Sequence, residues 1–111
     1  MVTRHLIAQI KAPAKALDNE DLIKESAVAA CVSAGATVLS VHSHKFEPQG
    51  LTLIVILAES HFSVHTWPER CAAAVDLFTC GESTSPEEGI NTFVTMIDGI
   101  IATKQSITRS V

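Results

Sequence analysis

FEPQGLTLIVILAESHFSVHTWP, Phe46 to Pro68, carries two chain reversals and the most apolar run of the sequence. Glu47-Pro48-Gln49-Gly50 has proline and glycine at turn positions, so Leu51–Glu59 returns as the hairpin partner of the segment before it. Phe62–Trp67 then reads as a short strand that Pro68 stops. Consecutive hairpins demand antiparallel pairing, and that decides the architecture.

Upstream, Ala36–Phe46 is rich in β-formers. Its alternation sets Leu39, Val41 and Ser43 on one side and Val38, His42, His44 and Phe46 on the other. Arg4–Ile10 alternates as a first strand, and Ala12–Leu17 is a connector interrupted by Pro13. Asp18 or Asn19 caps a helix that runs to about Ala34, with Gly35 suited to the left-handed residue that closes it. Leu22, Ile23, Ala27, Ala30 and Cys31 form its apolar stripe. Downstream, Ala72–Phe78 is another strand, ending at Cys80-Gly81. Ser85-Pro86-Glu87-Glu88 opens a second helix with a cap, a first-turn proline and a capping box. Ile90, Phe93, Val94, Ile97, Ile100 and Ile101 fall on its apolar face, and the tail KQSITRSV adds a short edge strand.

The order β-α-β-β-β-β-α predicts an α+β sandwich: an antiparallel sheet with two helices packed on one face. Two helices leave the other sheet face open. A second copy packed sheet to sheet is the simplest cover, so a homodimer is expected.

With 111 residues, 47% of them hydrophobic, the chain is expected to form one domain spanning 1–111. Net charge is −4 and the basic residues are scattered, so nucleic acid and anionic membrane surfaces are poor partners. The apolar run Leu51–Ala58 falls short of the roughly 20 residues a membrane helix needs. MVTRHLIAQIK has charges where a signal peptide carries its apolar core, and a cytoplasmic location is expected. Cys31, Cys71 and Cys80 are an odd number without a pairing motif, which argues against a disulfide framework.

Chemistry concentrates in AESHFSVHTWPE (Ala58–Glu69), where two serines, two histidines and two glutamates lie within twelve residues. His42-x-His44 with His61 and His65 offers imidazoles, but no HExxH or CxxC accompanies them, and no metal centre is expected. A hydrolytic triad lacks its G-x-S-x-G elbow. His5 and Cys31 read as structural and receive no functional role, and Cys71 is not assigned one.

This segment resembles the prokaryotic S-adenosylmethionine decarboxylase proenzymes, a pyruvoyl-dependent family. The resemblance rests on RHLI (Arg4–Ile7), GATVL (Gly35–Leu39), HKFEPQG (His44–Gly50), AESHFSVHTWPE and AAVDLFTCG (Ala73–Gly81), in the family's order and spacing. It implies a decarboxylase-like sandwich and self-cleavage between Glu59 and Ser60, giving a β chain of residues 1–59 and an α chain of residues 60–111. Ser60 matches the serine that becomes the pyruvoyl cofactor, which holds substrate as a Schiff base. His65 matches a processing residue, Thr52 a supporting hydroxyl and Cys80 the general acid that returns a proton to the substrate carbon. Phe46, with His65, matches the aromatic that stacks on adenine, and Glu69 the acceptor for the ribose hydroxyls.

The implied activity is decarboxylation of S-adenosylmethionine to the aminopropyl donor of polyamine synthesis. The chain departs from the family's usual Tyr-Gly-Tyr after HTWPE, with Arg70-Cys71-Ala72 instead. Its Lys11–Lys15 connector also lacks the usual pattern. These changes spare Ser60, His65 and Cys80 and bear on substrate choice, which keeps an ornithine or arginine decarboxylase as the alternative. A third reading is an unprocessed, non-catalytic dimeric binding module.

Overall fold

The computed structural model describes residues 1–111. One antiparallel sheet of six strands, in the order β2-β3-β4-β5-β1-β6, carries its helices on one side. The strands are β1 (Val2–Lys11), β2 (Val38–Lys45), β3 (Leu51–Leu57), β4 (His61–Trp67), β5 (Ala72–Cys80) and β6 (Ile100–Ser110). The helices are the one-turn α1 (Ala14–Leu17), α2 (Glu20–Ser33) and α3 (Pro86–Met96). A 3-10 turn, Pro68–Arg70, joins β4 to β5.

Strand alternation explains both faces. Leu51, Leu53, Val55 and Leu57 of β3 are buried under the helices, while Thr52, Ile54 and Ile56 point away. Phe62 and Val64 of β4 and Ala73, Val75 and Leu77 of β5 join the same 23-residue apolar cluster. Phe62 meets Phe93 of α3 edge to face at 5.4 Å between ring centroids. Truncating either ring would open a cavity costing about 3–5 kcal/mol.

The helix ends follow their local chemistry. The Asn19 side chain accepts from the Leu22 amide and that of Ser85 from the Glu88 amide. Gly35 closes α2 at φ +82°. Gly89 lets α3 approach α2 closely: a Cβ there would lie 2.9 Å from the Ala30 carbonyl oxygen.

Three expectations are corrected. Val38 pairs with Leu57 on the helix side, and Leu39 is 62% exposed, because the β2–β3 register shifts between Val38 and Ser40. The alternation drawn from sequence alone ignored that bulge. Ile100 and Ile101 belong to β6 rather than to α3, since Asp98 turns left-handed (φ +61°) and ends the helix. The C-terminal strand is therefore not a short tail but an 11-residue edge partner of β1. The connector after Pro13 also forms α1, where a plain link was expected.

Candidate active site

All the expected site residues belong to the open face or to the turns that border it, but they divide into two groups. At one end, Ala58, Glu59 and Ser60 form the turn between β3 and β4. The Leu57 amide donates to the Ser60 carbonyl oxygen (2.9 Å) and the Ala58 amide to the Thr37 carbonyl oxygen (2.9 Å). The Glu59 carboxylate accepts from the Thr37 amide at 2.9 Å and from its hydroxyl at 3.3 Å. Both sides of the Glu59–Ser60 bond are thus fixed to the sheet. Cys80 lies near this end, two residues past Phe78, which pairs with His61. Its thiol is free and half-buried.

At the other end of β4, Phe46, Thr52, His65 and Glu69 line one cleft of about 390 Å³ with Gly50 and Trp67. The Thr52 hydroxyl and His65 Nδ1 are 3.1 Å apart, as their cross-strand pairing requires. Asp18 secures the loop that carries Phe46. It accepts from Lys45 Nζ at 2.7 Å and from the Gly50 amide at 2.9 Å, and the Lys45 bond holds its carboxyl below the ordinary range. Arg70, absent from the family pattern, lines an adjoining cleft with Trp67 and Glu69.

Four residues of strand separate His61 from His65. Counted from Ser60, five steps at about 3.3 Å each make roughly 16 Å, too far for His65 to reach Ser60 within one chain. Nor do Thr52 and Ser60 meet: Thr52 pairs with His65, and Ser60 sits in the turn. The structure joins Phe46, Thr52, His65 and Glu69, and separately sets Glu59, Ser60 and Cys80 at the turn end of the sheet.

Between the two ends lies a cluster that the sequence reading missed. Asp76 on β5 accepts from His5 Nε2 of β1 (2.6 Å), from His61 Nε2 of β4 (3.0 Å) and from the Ser63 hydroxyl. Burial pushes its carboxyl up, but the bonds from Ser63, His5 and His61 outweigh it, leaving Asp76 below the usual carboxylate range. His61 Nδ1 lies 3.4 Å from the Ser60 hydroxyl. Phe78 packs beside both rings, with Arg109 above it at 5.1 Å. His5 therefore has a defined polar partner. The signal available in sequence was parity: His5, His61, Ser63 and Asp76 all fall on outward positions of adjoining strands.

The imidazoles considered together from sequence do not converge, since His42 and His44 are exposed on β2 and His61 and His65 are apart. The His5, His61 and Asp76 ligand atoms do lie within 4.8 Å of one another, but hydrogen bonds account for that approach. Cys31, by contrast, lies on the buried face of α2, and burial pushes its thiol up to about 12.

An α+β sandwich with a serine, a thiol and paired imidazoles on its uncovered face has the equipment of an acid–base enzyme, and comparison makes the class a decarboxylase. Residues 4–110 match the family model described as S-adenosylmethionine decarboxylase, and the chain belongs to that family. A protein of Caldanaerobacter subterraneus named S-adenosylmethionine decarboxylase proenzyme is 38% identical over 109 residues, covering 97% of this chain and 88% of that one. One of Parasynechococcus marenigrum with the same name is 49% identical over 90 residues, covering 79% and 70%. The crystal structure of the adenosylmethionine decarboxylase from Aquifex aeolicus superposes with a TM-score of 0.83 at 30% identity, covering 97% of this chain and 88% of that one. No helix is long and apolar enough to cross a membrane.

Proposed function

We propose that this chain is the precursor of a cytosolic, pyruvoyl-dependent S-adenosylmethionine decarboxylase that cleaves itself between Glu59 and Ser60. The observation that carries this is the pinned turn ending in Ser60, on the same open face as a cleft holding Phe46, Thr52, His65 and Glu69. The residues present fit a self-made pyruvoyl group, because Ser60 lies just before β4 with its hydroxyl 3.4 Å from an imidazole nitrogen. When formed, that group supplies a carbonyl that withdraws electrons from the substrate's α-carbon as carbon dioxide leaves.

The chain's own groups supply the rest. Phe46 offers an aromatic face to adenine and to the cationic sulfonium, the latter worth about 0.5–2 kcal/mol. Glu69 accepts from the ribose hydroxyls, His65 closes the base from the other side, and Cys80 holds the proton the substrate carbon takes up. The curated relatives carry the S-adenosylmethionine name, which supports that substrate over ornithine or arginine.

The roughly 16 Å between Ser60 and His65 calls for a second copy to complete one site. A two-fold partner laid sheet to sheet with its strands reversed carries its His65 cleft over the first protomer's Ser60 end. Ile54, Ile56, Phe46 and Trp67, 36–46% exposed on this side, supply apolar surface for the contact.

Intact-mass measurement of fresh protein is expected to find two fragments, residues 1–59 and a blocked 60–111. The Ser60→Ala variant should remain one 11.8 kDa chain. Cys80→Ala should still cleave but lose roughly 10²-fold or more in release of labelled carbon dioxide from S-adenosylmethionine. Release from ornithine or arginine instead would reject the substrate, and an uncut wild type would restore the non-catalytic reading.

A further inference from the structure

We propose that Ser60, His61 and Asp76 form a proton relay in which His61 is the base for the first step of self-cleavage; this rests on the self-cleavage proposed above. His61 Nε2 lies 3.0 Å from the Asp76 carboxylate, an acceptor only, so that nitrogen carries the proton and donates it. The neutral ring must then hold its lone pair on Nδ1, the atom 3.4 Å from the Ser60 hydroxyl. The tautomer is set by Asp76. No other imidazole of the chain contacts Ser60, and same-chain His65 is roughly 16 Å along the chain.

Asp76 is itself held. Ser63 donates to Oδ1, while His5 and His61 share Oδ2, so the strands on either side of β5 fix one carboxylate. The geometry is that of a nucleophile, a base and an orienting acid, although none of the three lies in a nucleophile-elbow motif.

The step balances within the chain. His61 Nδ1 takes the proton from Ser60 Oγ, and that oxygen attacks the Glu59 carbonyl carbon. The new Oγ–C bond replaces the C–N bond to Ser60, and the proton passes from the imidazolium to the released amine. The peptide becomes an ester with no outside reactant. His61 touches the reacting hydroxyl and is catalytic here; Asp76 is a positioning residue.

The test follows fragment formation by mass spectrometry in the full chain, with circular dichroism confirming the fold of each variant. His61→Asn retains an acceptor near Nδ1 but no base, and should slow cleavage about 10²-fold or more. Hydroxylamine, which cuts esters, should not release fragments from it, because the block precedes the ester. Imidazole should restore cleavage to His61→Ala, and adding Asp76→Asn should remove that rescue. Wild-type cleavage rates in His61→Asn, or prompt cutting of it by hydroxylamine, would overturn the relay. An uncut wild type would instead overturn the proposed function, so the two failures are separable.

Discussion

Asp76 concentrates more of the site's electrostatics than any other side chain. Its carboxyl is depressed in the folded state, so the stability it contributes is present above the unfolded value near 3.8 and is lost as pH falls through the lower folded value. In a Ser60→Ala background, which keeps one chain, denaturant unfolding should show Asp76→Asn clearly less stable at pH 6. The gap between variant and parent should narrow as pH drops below about 4. A gap unchanged down to pH 2 would show that packing alone sets the loss. Residue-scale chemistry also explains what was readable beforehand. Ser60 and His65 stand in a dense, unusual motif and Cys80 drew notice only through the family resemblance of its FTCG segment, whereas Asp76 sits inside an apolar strand and acquires meaning only from its neighbours.

At the scale of elements, the junction between β4 and β5 shows how a departure in sequence is absorbed. Cys71 ends the 3-10 turn in the left-handed region (φ +50°), where the family pattern carries glycine. Its amide bonds Pro68 and its carbonyl bonds the Ala12 amide, so the conformation is held from both sides. A side chain there costs more than glycine does. Cys71→Gly should therefore stabilise the protein by about 0.5–1 kcal/mol, partly offset by the freer unfolded chain, as thermal unfolding would read out. Elements also mark where pattern reading stopped. The caps at Asn19 and Ser85 are local and were legible. The β2 bulge and the early end of α3 were not, because pairing with β3 and the turn through Asp98 override the local alternation.

For the whole molecule, the uncovered face is the feature that matters. Helices protect one side of the sheet, and the other holds every polar group of the site beside exposed Ile54 and Ile56. If two copies share each site, a Cys80→Ala protomer and a Glu69→Gln protomer fail at different halves. Co-expression should then restore roughly a quarter of wild-type turnover, since half the dimers are mixed and each has one intact site. Ile54→Glu with Ile56→Glu should give monomers by sedimentation and abolish turnover. Full activity in such a monomer would mean that one chain closes its own site.

The amino-acid sequence by itself determined the hairpins, the helix starts and the buried stripe. Each of these depends on neighbours two to four residues away. Tertiary structure alone decided that Thr52 meets His65, and that His5, His61 and Asp76 meet. Register between strands far apart in the chain sets those distances, because a shift of one residue would turn each side chain to the other face.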